Sequence, residues 1–266
     1  MKSEGSRYVL ITGASRGIGE AFARFLAAEG WALILTARTE SDLNRVAGVL
    51  TSQHAVPIVV IPLDLTRPDA VGFLARELER RGLSPEVIVN NAGFGLLGAA
   101  SELSADEQVN MIDLNVRAVS ELTLRFLPSM VARARGGMLN VASIAGFVPG
   151  PYMAVYHATK AFVIALSEAL TAELDGSGVT VSVFCPGPVA TGFQARAGMY
   201  VHGRRLLLRM LKPEDIVANA WRSFEAGQRI ITTDPLATVS AWCGRVAPRR
   251  LVLAATKRLM LRIRAP

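Results

Sequence analysis

The chain is 266 residues long, 51% apolar and 19% charged, enough for one large α/β domain or two small ones with a sizeable core. Its two cysteines, Cys185 and Cys243, make no disulfide framework. Neither they nor His54, His157 and His202 cluster at metal-ligand spacing, which argues against a disulfide-stapled fold or a metal site. The net charge of +7 lies in the tail: residues 241–266 hold seven basic and no acidic side chains, while residues 1–240 balance at 22 of each.

The opening stretch MKSEGSRYVLITG has no apolar leader segment before its first strand, so no signal peptide is expected and the protein is expected to be cytoplasmic. Residues 7–12 (RYVLIT) form a short apolar run with strand character, followed by GASRGIGEAFARFLAAEG. In that segment Ile18, Phe22, Phe25 and Leu26 recur at helical spacing and Gly30 closes the helix. Glycines 13, 17 and 19 would let backbone N–H groups approach a pyrophosphate at the helix N-terminus, where the dipole favours anions. Their spacing is G-x-x-x-G-x-G and not G-x-G-x-x-G, so a plain structural turn stays open as an alternative.

The next strand, residues 31–37 (WALILTA), ends at Arg38, nineteen residues past the last glycine. An acidic residue there would grip the ribose 2′-hydroxyl of NAD; an arginine, with Arg16 as a second cation in the glycine loop, favours the 2′-phosphate of NADP. The alternation then repeats. A polar helix over about 40–53 precedes the strand VPIVVIPLD, which ends at Asp64, and a helix over about 68–81 precedes EVIVNNAG. That last segment leaves Asn90, Asn91 and Gly93 at a carboxyl edge of the sheet, although two adjacent Asn could simply cap a turn. Residues 104–135 have helical periodicity, with Asn115 inside the apolar run MIDLNVRAV, where it must find partners.

A fifth strand is expected over 138–143. Residues 136–159 carry no formal charge, but glycines and prolines interrupt their apolar runs, so no transmembrane helix is predicted. Ser143 lies thirteen residues before Tyr156, and Lys160 is four residues beyond it, on a helix expected to run to about Asp175. At that spacing residues share a helix face, so the ammonium should lower the phenol pKa and fit it for proton exchange with an alcohol or carbonyl oxygen that Ser143 holds. Alone, Y-x-x-x-K also occurs in helices as an exposed pair. VTVSVFCPGPVAT gives a sixth strand, with Cys185 reading as a buried structural thiol. Residues 192–212 are irregular and basic and suit a lid; a helix starts near Pro213 and leads to QRIIT, a seventh strand. Such alternation means a doubly wound, Rossmann-like parallel sheet covered on both faces, with a catalytic domain over 1–240 and an extension over 241–266.

TGASRGIG (12–19), Asp64, NNAG (90–93), Asn115, Ser143, Tyr156 with Lys160, and PGPVAT (186–191) together resemble the short-chain dehydrogenase/reductase family, over roughly residues 7–232. The resemblance implies Tyr156 as acid/base, Ser143 as partner of the carbonyl oxygen, Lys160 as the group tuning the tyrosine and binding the nicotinamide ribose, and Asn115 as the holder of a relay water through its helix backbone. It implies that Asp64 meets adenine and Thr191 the nicotinamide carboxamide. Further cofactor contacts are implied at Gly13, Ser15, Arg16, Gly17, Ile18, Gly19 and Arg38, then at Leu65, Asn91, Ala92 and Gly93, and finally at Pro186, Gly187 and Val189. The tail and NNAGFGLLG look more like bacterial reductases with a C-terminal extension.

The expected activity is an NADP-dependent interconversion of a carbonyl and a secondary alcohol. A 3-oxoacyl-carrier-protein reductase and a non-turnover NADP-binding sensor are the alternatives. Residues 94–101, 144–155 and 192–212 should line the substrate pocket, with Phe94, Leu96, Phe147, Phe193 and Met199 giving it an apolar wall. A homo-oligomer is expected. In residues 248–264, Leu251, Val252, Ala255, Leu259 and Ile263 fall on one helical stripe, with Arg250, Lys257 and Arg264 off it. Such a helix suits an anionic membrane surface, its own domain or a second subunit; nucleic acid is disfavoured because no aromatic residues interleave the basic ones.

Overall fold

The computed structural model describes residues 7–199, 210–233 and 246–264. Seven strands, β1 (Tyr8–Thr12), β2 (Ala32–Ala37), β3 (Ile58–Pro62), β4 (Pro85–Asn90), β5 (Gly136–Val141), β6 (Val179–Cys185) and β7 (Ile230–Thr232), form one sheet. The order is β3-β2-β1-β4-β5-β6-β7 and every neighbouring pair is parallel. The runs YVLIT and ALILTA are apolar without alternation because both faces of a parallel sheet are covered.

Alternate strand residues feed two separate cores. Val9, Ile11, Leu33 and Leu35 pack with Phe22 and Leu26 of α1 (Gly17–Ala28), Leu43 and Leu50 of α2 (Glu40–Gln53), and Trp221 further along the chain. Tyr8, Leu10, Ala32 and Ile34 point the other way, toward Leu74 and Leu78 of α3 (Ala70–Arg80) and toward Leu122. The path goes outward from β1 through β2 to β3, then returns to the opposite side of β1 at β4. The carboxyl ends of β1 and β4 therefore border the crevice of the sheet.

The helical stretch expected over 104–135 is interrupted. α4 (Ala105–Ile112) and α5 (Ala118–Ala132) flank a π-helical turn, Asp113–Arg117, whose wider backbone carries Asn115. β5 ends at Val141, two residues short of Ser143, whose hydroxyl accepts from the Ala145 N–H and caps the 3₁₀ turn Ile144–Phe147. α6 (Ala154–Glu173) follows. Beyond β6 a short helix, α7 (Phe193–Arg196), interrupts the segment expected to be irregular, and the chain returns through a bridge from Leu211 to Val189. Residues 200–209 of the expected lid, the boundary at 240 and Cys243 lie outside the described residues.

α8 (Pro213–Glu225) starts with its proline at a first-turn position, as expected, and α9 (Arg249–Arg264) is the tail helix. Among the described residues no helix is long and apolar enough to cross a membrane. Trp221 of α8 is 2% exposed and meets Trp31 edge-on at 5.5 Å. Trp221→Ala should cost about 3–5 kcal/mol of unfolding free energy, read as a lower urea midpoint with the m-value unchanged.

Candidate active site

At the carboxyl end of β1 the chain must turn sharply into α1, and Gly13 and Gly17 do so at φ of 66° and 58°. The turn is held from below. Thr12 Oγ1 accepts from the backbone N–H groups of Asn91 (3.0 Å) and Ala92 (2.9 Å), while Asn91 Nδ2 donates to the Thr12 carbonyl at 2.9 Å. A Cβ on Gly19 would collide with the Gly13 carbonyl oxygen, and one on Gly13 would come within 2.9 Å of Asn91 Nδ2. The glycines thus leave a bare backbone cradle at a helix N-terminus, which fits a dinucleotide pyrophosphate. On its far side, a Cβ on Gly17 would meet Thr191 at 3.1 Å, and both residues line a cleft of about 530 Å³.

The adenosine side is basic and shared. Arg38 stands exposed at the end of β2. Arg16 is not a free cation: its guanidinium is bonded to Asp42 of α2 at 2.8 Å. Arg45, one turn further along α2 and missed in the sequence, donates to the Ser15 carbonyl at 3.0 Å and pairs with Glu20. Its signal was its position three residues after Asp42 on the helix that follows Arg38. Arg196 of α7 belongs to the basic segment expected to line the pocket. It stacks 4.2 Å over Phe94, and burial, followed by the like charge of Arg38, lowers its pKa.

Three positions implied by the resemblance can offer only backbone. Ile18, Leu65 and Val189 turn their side chains into the cores, and Ser15 is buried. The Pro186 carbonyl accepts from Ile144 N–H, and the Gly187 N–H donates to Thr233 Oγ1. Asp64 Oδ1 accepts from both the backbone and the hydroxyl of Thr66.

The catalytic candidates converge beside Gly93, where a Cβ would lie 3.0 Å from Asn115 Oδ1 and 3.5 Å from Lys160 Nζ. Asn115 is 1% exposed and satisfied within the protein. Its amide donates to the Phe94 carbonyl (2.9 Å) and Thr159 Oγ1 (3.0 Å), and its oxygen accepts from the Phe94 N–H (3.1 Å). Thr159 Oγ1 in turn donates to the Tyr156 carbonyl at 2.8 Å, tying the π turn to α6.

Tyr156 and Lys160 are both buried, and burial reverses the expected tuning. It pushes the Tyr156 phenol up to about 12, against a hydrogen bond with Ser143 that works to lower it. The Lys160 Nζ lies 5.9 Å from the tyrosine ring centre and donates to the Val141 carbonyl at 2.9 Å. Burial drops the ammonium to about 8.

Around the phenol, Phe94, Leu96, Met111 and Met153 form an apolar cluster, with Phe193 (5.2 Å from the tyrosine ring), Met199 and Met260 of α9 packed on it. Phe147 is not part of it; that ring packs with Val119, Val163 and Ile164 in the core behind. His157 also faces inward, its Nδ1 2.8 Å from the Val148 carbonyl, and so anchors the loop that carries Ser143 to α6.

The model of the short chain dehydrogenase family matches residues 7–199. Ketoacyl reductase HetN of Nostoc sp. (strain PCC 7120) is 35% identical over 196 residues, 74% of this chain and 66% of that protein, so the chain spans slightly less than two thirds of this relative. A solved short-chain dehydrogenase from Sphingobium yanoikuyae in complex with NADPH superposes with a TM-score of 0.81 at 31% identity, covering 97% of this chain and 96% of that one. Another, from Burkholderia phymatum in complex with NAD, gives a TM-score of 0.79 at 26% identity, with 91% and 94% covered.

The Lys160 ammonium should cost stability. Its folded value of about 8 lies below the ordinary 10.5, so the folded chain holds this proton less tightly than the unfolded one. The penalty is full below pH 8 and fades as pH rises to 10.5. Lys160→Met should therefore raise unfolding free energy at pH 7 by on the order of 1–2 kcal/mol, less at pH 10, in urea titrations of the cofactor-free protein.

Proposed function

The chain belongs to the short chain dehydrogenase family, and on that premise we propose that it is an NADP-dependent oxidoreductase interconverting a carbonyl and a secondary alcohol on a hydrophobic substrate. One observation carries the reading: a buried phenol, hydrogen-bonded to Ser143, set in an apolar cluster beside Lys160 and the satisfied Asn115. When bound, NADPH would supply a hydride to the carbonyl carbon. The chain's own groups manage the oxygen and the proton. Ser143 and Tyr156 hydrogen-bond the carbonyl oxygen, and Tyr156 gives its proton as charge develops there. Lys160 would hold the nicotinamide ribose from the floor of the site, and the Gly13–Gly19 cradle would hold the pyrophosphate.

The preference for NADP rests on the exposed Arg38, since the solved relatives include one complex with NADPH and one with NAD. A ketoacyl substrate is the second reading, favoured by the name of the Nostoc relative. A cofactor-binding sensor would bind NADPH and consume none.

Depletion of NADPH against acyl, steroid-like and small aliphatic ketones tests the reading. Turnover should be found, fastest on bulky apolar ketones, and Tyr156→Phe should abolish it while leaving cofactor affinity within about twofold. Binding without consumption on the whole panel would contradict it. NADPH should bind about ten- to a hundredfold more tightly than NADH in fluorescence titrations, and Arg38→Asp should reverse the order.

The two directions should differ in pH dependence. A phenol held near 12 stays protonated, so Tyr156 should add no pH dependence to reduction from pH 6 to 9. Oxidation needs the phenolate, whose fraction grows about tenfold per pH unit below that value, so oxidation should rise across the same range. Steady-state profiles in both directions check this; oxidation falling from pH 7 to 9 would contradict the assignment of Tyr156.

A further inference from the structure

We propose that the outer face of α9 seats on an anionic phospholipid surface at the mouth of the catalytic cluster. One contact of the helix with its own domain runs through Met260, which lies on a narrow half-buried row. Val252, Thr256, Met260 and Ile263 are half-buried at intervals of four, four and three, and Met260 packs on the cluster that contains Tyr156. The apolar stripe read from the sequence does not coincide with this row: Leu251, Ala255 and Leu259 of that stripe are exposed.

The rest of the circumference mixes exposed leucines with exposed cations. Leu251 is 66% exposed, Leu261 42% and Leu253 40%, and Arg249, Arg250, Lys257, Arg258 and Arg262 stand among them. A helix meant only for its own domain would put polar side chains in those leucine positions. The charge selects the occupant. Residues 241–266 hold seven basic and no acidic side chains, so what covers the face must be anionic. A second copy of this helix would repel it. The remainder of the chain is balanced, at 22 basic and 22 acidic residues in 1–240, and offers a second copy no net complement. Nucleic acid would satisfy the arginines but leave the leucines in water, and α9 has no aromatic ring on which a base could stack. An interface of acyl chains beneath phosphate headgroups satisfies both sets at once, with the helix in the surface plane.

The proposal goes beyond the catalytic reading and rests on it only for what the surface would deliver, a hydrophobic carbonyl. The test is co-sedimentation of the full-length protein with phosphatidylcholine vesicles, with and without about 30% phosphatidylglycerol, at about 50 and 500 mM salt. Binding should require the anionic lipid and weaken at high salt. Arg258→Gln with Arg262→Gln should weaken it about 25-fold, since each cation near the headgroups is worth about fivefold. Leu251→Ser with Leu261→Ser should weaken it with all charges kept. No binding, or equal binding to neutral and anionic vesicles, overturns the proposal. So does a dimer that the leucine variant dissociates while vesicles bind neither form. Turnover of NADPH in lipid-free buffer is read on the same samples: intact turnover without vesicle binding sinks this proposal alone, and vesicle binding without turnover sinks the catalytic reading alone.

Discussion

The amide of Asn91 occupies the space that a Cβ on Gly13 or Gly19 would need, and with the Thr12 hydroxyl it locks the carboxyl ends of β1 and β4 together. Everything on the rim depends on that close approach. It sets the N-terminus of α1 over the crevice where the sheet order reverses, and it fixes the backbone that runs through Gly93 to Phe94. From there Asn115 and Thr159 carry the same register to the carbonyl of Tyr156. The glycine cradle and the Tyr156 phenol are thus parts of one hydrogen-bonded frame. The frame is built largely from backbone groups, which explains why so many of its positions are glycine or short amides.

Burial and charge compete at the heart of that frame. A cation four residues away on a helix would lower a phenol in water, but here the apolar wall outweighs it and Lys160 is spent on the Val141 carbonyl. Burial disfavours the charged form of both groups, yet at neutral pH it leaves Tyr156 a neutral phenol while Lys160, near 8, is still mostly an ammonium. A phenol in that state can give up a proton more readily than take one. The buried ammonium also costs stability, a familiar exchange at a working site.

The fold was legible because parallel strands buried on both faces write themselves as unbroken apolar runs, and the glycine and asparagine motifs mark where those runs end. The four candidate catalytic positions were named from a family resemblance, and the structure sets Asn115 and Lys160 beside Gly93 and Ser143 against Tyr156. Spacing cannot carry burial, and so the direction of the Tyr156 shift was misread. Contacts between distant segments were equally invisible. The diversion of Arg16 to Asp42 joins residues 26 apart, and Arg45 closes over Ser15 from another helix. Phe147, expected in the pocket wall, faces the core because a ring on a 3₁₀ turn can point either way and only packing decides, and Met260, for which the sequence carried no expectation, packs on the cluster. The tail helix was found, but which of its faces meets the domain depends on one contact through Met260.

The central claim is that a hydride and a proton reach one carbonyl on this frame. It is tested most directly by NADPH carrying deuterium at the transferred position of the dihydronicotinamide, offered with an apolar ketone in ordinary water. The account predicts an alcohol with the deuterium on its carbinol carbon and a solvent-derived hydrogen on its oxygen. NADPH consumed with no label in the alcohol, or label lost to water, would contradict it.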